Sequence, residues 1–205
     1  MRVATSPEAG GSPTWGEWAN ARGRRFADGV ARWLVVTGVT PNQLTVTGFF
    51  LTCAVAVAIA YGYEWQGGVL VILVGLFDML DGAVARVRGM KTRFGAFLDS
   101  TLDRYSEAVL LAGVLVAHQE LQTTLLVVAA LTGSLLVSYS RAKAEGKDIG
   151  VHGEVGWLPR PQRVVLLAAG LITGLIVPAL WVLAIFTNVT TVQRILHVRR
   201  QLEGR

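Results

Sequence analysis

The stretch FDMLDGAVARVRGMKTRFGAFLDSTLD, Phe77 to Asp103, holds four aspartates within 26 positions of otherwise apolar or basic sequence. Asp78, Asp81, Gly82, Ala85 and Arg86 stand at offsets 0, 3, 4, 7 and 8, the spacing of one α-helical face. Asp99 and Asp103 are four apart and share a face of a second helix. Between the two lies VRGMKTRF, a short basic segment with a glycine, which reads as a turn. Helices joined by so short a connection pack antiparallel, so the spacing predicts that the four carboxylates converge.

Outward from this pair the sequence is apolar. The 205 residues are 52% apolar and 16% charged, more apolar and less charged than an ordinary soluble domain. Six apolar runs stand out: Leu44 to Tyr61, Gly68 to Arg86, Gly95 to Ala117, Thr123 to Ser140, Gln162 to Ile176 and Pro178 to Ile195. Each is near the ~20 residues that span a bilayer ~30 Å thick, the fifth being short. They leave too little polar surface for a soluble core. The predicted fold class is therefore an all-α integral membrane protein with six transmembrane helices, the domain running over 41–200. Residues 1–16, rich in Gly, Ser, Pro and Thr, are predicted to be poorly ordered. Over 17–40, Trp18, Phe26, Val30, Trp33 and Leu34 recur at helical spacing with Arg22, Arg24, Arg25 and Arg32 between them. That pattern predicts an amphipathic helix lying on the membrane surface.

Basic residues set the orientation. With the amino terminus cytoplasmic, the inside segments 1–40, 86–95, 141–163 and 194–205 contain 18 of the 19 Lys and Arg residues, and the outside turns contain none. The net charge of +5 is accounted for by this asymmetry, so nucleic acid is not implied as a partner. The predicted location is the plasma membrane, multi-pass, with the aspartates at the cytoplasmic face. A lone cysteine, Cys53, excludes a disulfide framework and a cysteine metal cluster. His118, His152 and His197 stand apart in no metal-binding pattern.

Four ionised carboxylates beside hydrocarbon are costly unless compensated. With no Cys or His among them, the donor set suits a hard cation, Mg²⁺ or Mn²⁺. Four carboxylates suit two such ions, an arrangement used in phosphoryl chemistry. The alternative is neutralisation by arginines such as Arg86 and Arg104. Gly82 leaves room either for a ligand or for a packed helix, and Arg86 is either a salt-bridge partner or a phosphate clamp.

The full pattern D-x2-D-G-x2-A-R-x8-G-x3-D-x3-D is met by Asp78, Asp81, Gly82, Ala85, Arg86, Gly95, Asp99 and Asp103. It resembles the motif of the CDP-alcohol phosphotransferases, six-helix membrane enzymes that are commonly homodimers, and the resemblance spans roughly residues 35 to 200. It implies that Asp78 and Asp99 bridge two metals, that Asp81 completes one and Asp103 the other, and that Asp103 is also the general base. It further implies that Gly82, Arg86 and Thr92 contact the CDP of a CDP-diacylglycerol donor, together with Asn42, Gln43, Leu44 and Thr45 after Pro41. The segment TPNQLT is equally a helix start, with Thr40 as cap and Pro41 in the first turn.

A second basic group follows. Ser138, Arg141 and Lys143, with Arg160, Arg163 and Arg194, form a candidate pocket for an acceptor that carries its own phosphate. Ordinary inside-facing charge is the alternative. LDSTLDRYSE, and SYSRAKAE followed by RPQR, resemble the branch of the family that makes phosphatidylinositol phosphate, and its archaeal ether-lipid relatives. In that branch the positions of Ser138, Arg141, Arg163 and Arg194 hold inositol phosphate. Here Gln162 and Pro159 replace usual glutamates, and Arg141 stands where lysine is frequent. Glycerol 3-phosphate is the alternative acceptor, an ether CDP-lipid the alternative donor, and a small membrane transporter the alternative outside enzymology.

Overall fold

Thr40 starts the first helix as the sequence suggests. Its hydroxyl accepts from the Gln43 amide at 3.3 Å, the Gln43 side chain accepts from the Thr40 amide at 2.9 Å, and Pro41 fills the first turn. From there the computed structural model, which describes residues 29, 31–146, 149–151 and 156–204, runs through six helices. They are α1 Pro41–Ala60, α2 Glu64–Val87, α3 Arg93–Ala117, α4 Leu121–Glu145, α5 Arg160–Thr173 and α6 Ile176–Glu203. Among the described residues all regular structure is helical.

Four of the helices, α1, α2, α4 and α6, are long and apolar enough to cross a membrane, with mean hydropathies of 1.9, 2.0, 1.7 and 1.6. The other two apolar runs fall short for different reasons. At 25 residues α3 is long enough, but it carries Arg93, Asp99, Asp103, Arg104 and Glu107. At 14 residues α5 is about 21 Å long at 1.5 Å per residue, short of the ~30 Å hydrocarbon core. Large apolar side chains also face outward: Phe50 is 64% exposed and Leu125 60%. A water-soluble surface does not carry this much apolar area, and the chain is a membrane protein.

Helices extend past the apolar runs at several ends, and the outside turns shrink to 61–63, 118–120 and 174–175. Apolar runs report the hydrocarbon layer, whereas hydrogen bonding carries a helix into polar sequence. The i, i+4 ion pairs Arg141–Glu145 and Arg199–Glu203 support the extended ends of α4 and α6.

The core draws on all six helices, with Ile59, Val71, Leu111, Val127, Leu171 and Leu180 buried together. Backbones meet closely at small residues. A Cβ on Gly113 of α3 would stand 2.5 Å from the Ala56 carbonyl oxygen of α1, and one on Gly68 of α2 2.8 Å from that of Ala168 in α5. This is how helices pack where lipid offers no hydrophobic drive.

Residues 31–36 are helical before a turn at Thr37 and Gly38. Ala31 packs with Leu44, Ala83 and Val84, while Trp33 is 70% exposed. Arg88, just after α2, donates to the Val35 carbonyl at 2.7 Å and ties this segment to the α2–α3 turn. The remainder of the expected surface helix, including Trp18, Arg22, Arg24, Arg25, Phe26 and Val30, lies outside the described residues, as do residues 1–16 and His152.

Candidate active site

The turn after α2 ends at Thr92, whose hydroxyl caps α3 by accepting from the Gly95 amide at 2.9 Å. Contrary to the expected direct packing, α2 and α3 each pack on α1 rather than closely on one another, and Asp78, Asp99 and Asp103 meet across the gap between them. Asp78, Asp99 and Asp103 each place one carboxylate oxygen within 4.8 Å of the others. Opposite oxygens around an octahedral Mg²⁺ lie about 4.2 Å apart, so a small closure seats a hard cation, and the all-oxygen donor set favours one.

Asp81 is turned elsewhere. Its Oδ2 accepts from the Thr45 hydroxyl at 2.6 Å and its Oδ1 from the Gly82 amide, and the residue is 8% exposed. It stands three positions after Asp78, about 60° around the helix from it at 3.6 residues per turn. A hydroxyl on α1 holds it there.

Arg160, the first residue of α5, enters the cluster. Its Nη1 lies 3.1 Å from Asp78 Oδ2 and 2.7 Å from Asp103 Oδ1. The cationic group read from 138–194 therefore reaches the aspartates through Arg160.

Beside the cluster opens a cavity of about 210 Å³. Asn42 and Thr45 of α1, Gly82 and Arg86 of α2, and Thr92 line it, together with Asp81 and Asp99. A Cβ on Gly82 would meet only Arg86 Nη1, at 3.5 Å, so this glycine faces open space. A Cβ on Gly95 would stand 3.0 Å from Thr92 Oγ1 and 3.1 Å from Asn42 Oδ1, so glycine lets the start of α1 sit against the start of α3. Of the four residues after Pro41, Asn42 and Thr45 line the cavity, Gln43 closes the helix cap, and Leu44 is buried against Ala83 and Val84. Capping and cavity lining thus fall on different residues.

The remaining basic residues are spread out. Arg194 of α6 donates to the Val137 carbonyl of α4 and lines, with Lys143 and Ser140, a cavity of about 310 Å³ between those helices. Arg141 pairs with Glu145 at 2.9 Å on the surface. Ser138 is half-buried. Arg163 is 3% exposed and grips Glu107 through two bonds, Nε to Oε1 at 2.7 Å and Nη2 to Oε2 at 3.0 Å. Ser134 donates to the same carboxylate at 2.9 Å, and Arg163 Nη1 donates to the Leu158 carbonyl at 3.1 Å. Sequence reading passed over Glu107, although Asp99, Asp103 and Glu107 recur every four residues on one face of α3.

Comparison with known proteins agrees with this geometry. A family model described as CDP-alcohol phosphatidyltransferase matches residues 38–195. The archaetidylinositol phosphate synthase of Methanothermobacter thermautotrophicus is 37% identical over 187 residues, covering 88% of this chain and 92% of its own. The crystal structure of Mycobacterium tuberculosis phosphatidylinositol phosphate synthase with CDP-DAG bound superposes with a TM-score of 0.78 at 33% identity, over 85% of this chain and 94% of that one. The same synthase in complex with manganese and citrate gives 0.77 at 32% identity, over 84% and 88%.

Proposed function

The chain belongs to the CDP-alcohol phosphatidyltransferase family, and from that premise we propose that it transfers the phosphatidyl group of CDP-diacylglycerol to inositol phosphate, forming phosphatidylinositol phosphate and releasing CMP. Asp99 carries the reading. It belongs both to the three-aspartate cluster and to the wall of the 210 Å³ cavity, so a nucleotide diphosphate in that cavity lies against the carboxylates.

Asn42, Thr45, Gly82, Arg86 and Thr92 hold CDP, while Gln43 and Leu44 fix the start of α1. Asp78, Asp81, Asp99 and Asp103 would hold two divalent ions, Mg²⁺ or Mn²⁺. When bound, such ions neutralise the diphosphate and stabilise the departing CMP. Asp103 accepts the acceptor's hydroxyl proton while that oxygen attacks the lipid-side phosphorus, and the bond from this phosphorus to the bridging oxygen of CMP breaks. Ser138, Arg141 and Arg194 bear on the acceptor's phosphate, and Arg163 joins them by giving up Glu107.

The distribution of Lys and Arg supports six spans, with α3 and α5 completing the set and the site at the cytoplasmic face of the plasma membrane. Two copies form a dimer. The donor is a CDP-lipid with ester-linked chains. An ether CDP-lipid is the variant that the archaeal relative's name suggests.

Purified protein in liposomes containing CDP-diacylglycerol, given labelled inositol phosphate and glycerol 3-phosphate in separate reactions, tests the reading. The expected result is CMP and labelled lipid from inositol phosphate alone. Labelled lipid from glycerol 3-phosphate alone overturns the acceptor, and no CMP from either overturns the chemistry.

A further inference from the structure

The Nε of Arg160 is buried and meets no hydrogen-bond partner among the described residues. Buried guanidinium donors are normally satisfied, so this one is set up for an acceptor that the protein itself does not provide. The same guanidinium already contacts two members of the aspartate cluster through Nη1, at 2.7 Å on Asp103 and 3.1 Å on Asp78. Its backbone opens α5, a 14-residue helix, whose amino-terminal end favours anions. Arg163, one turn further on, is held by Glu107, Ser134 and Leu158. That network anchors the start of α5 while the Arg160 side chain reaches into the site.

We propose that Arg160 is the resident counter-cation of the aspartate cluster: a divalent ion displaces its guanidinium from Asp78 and Asp103, and the guanidinium then takes a phosphate oxygen of the bound nucleotide. The inference rests on the reading of the cluster as a metal site. A guanidinium and a divalent ion repel each other at this range and compete for the same carboxylate oxygens. Asp78 and Asp103 are thereby compensated in turn by an arginine and by metal. Loading of metal and capture of the diphosphate become one coupled event.

Mn²⁺ titration of the purified full-length chain in nanodiscs, followed by the EPR signal of free Mn²⁺, reads the first half. Arg160→Met is expected to bind Mn²⁺ about tenfold or more tightly than the natural chain, because an adjacent positive charge shifts a carboxylate's affinity for cations by about 1–3 log units. Arg160→Lys keeps the charge and stays near the natural value. Arg160→Gln carries the same expected direction as Arg160→Met and serves where the methionine variant does not survive purification. A natural chain that binds no Mn²⁺ sinks the metal reading itself. A natural chain that binds it, beside neutral variants that bind no more tightly, sinks only the displacement. CDP titrated into the Mn²⁺-saturated proteins reads the second half. Roughly fivefold or greater weakening in the neutral variants, as expected for a lost charge-assisted hydrogen bond, supports the hand-over, and equal affinity overturns it.

Discussion

The half of the molecule built from α1, α2 and α3 and the half built around α4, α5 and α6 handle charge in opposite ways. In the first, like charges are gathered: three carboxylates meet within 4.8 Å and open onto a cavity lined by Gly82, Arg86 and Thr92. In the second, the arginines are already engaged, Arg163 with Glu107, Arg141 with Glu145 and Arg194 with the Val137 carbonyl. Arg160 from α5 meets two of these carboxylates, and the negative charge that remains favours an added cation, which is why the proposed metal and nucleotide are assigned to the first half. Charges satisfied internally carry no such demand, so an acceptor pocket there, as proposed, requires these pairs to open.

The sharpest way to break this contrast is to neutralise one carboxylate in the first half. Asp103→Asn is expected to lower kcat for CMP release by at least about 10³-fold, since it removes the proposed proton acceptor, which is also a proposed metal ligand, with the fold intact by circular dichroism. CMP release near the natural rate would dissolve the distinction between the halves.

Neutralising Glu107, the α3 carboxylate that an arginine of the second half grips, is expected to act on stability. Glu107→Ala leaves Arg163 buried and unpaired, which costs about 3–5 kcal/mol. Thermal unfolding in detergent is expected to show a Tm lower by many degrees, with Glu107→Gln between the two. An unchanged Tm would mean that the pair does not hold α3 to α5.

Smaller effects sharpen the comparison. Thr45→Val removes the hydroxyl that orients Asp81, a bond to a charged group worth about 1.5–3 kcal/mol. It is expected to raise KM for the CDP-lipid roughly tenfold and to leave KM for the acceptor unchanged. Equal rises in both would show that Asp81 serves the whole site. Smallest of all, Arg141→Ala breaks an exposed i, i+4 pair worth about 0.3–0.5 kcal/mol. Its Tm is expected to stay within a degree or so, while KM for the acceptor rises several-fold. No change in that KM removes Arg141 from the acceptor's surroundings.

The contrast also explains what was legible in the sequence. Asp78, Asp99 and Asp103 sit on two consecutive helices, so helical period and one short turn were enough to expect them together. Thr40, Pro41 and Gln43 announced the start of α1 through local capping chemistry. Both signals are short-range. The rotation of Asp81 toward Thr45 depends on where α1 crosses α2, which no spacing within α2 reports. The Arg160–Asp78 contact joins positions 82 residues apart, and the Arg163–Glu107 pair joins positions 56 apart. Glu107 did carry a local signal, its fourth-residue spacing from Asp103, but the apolar run around it drew the reading toward a plain membrane span. Composition and positive-inside charge identified a membrane protein. They did not separate the four helices that contain a long enough apolar stretch from α3, whose charges are spread along it, or from α5, which is short.

The central claim is that metal and nucleotide meet at one carboxylate, Asp99. Its most direct test is to measure Mn²⁺ binding and CDP binding on the same preparation of Asp99→Asn. The account predicts that both weaken together, each by roughly 100-fold or more, as expected when a shared metal ligand is lost. Loss of one with the other at its natural value would contradict it.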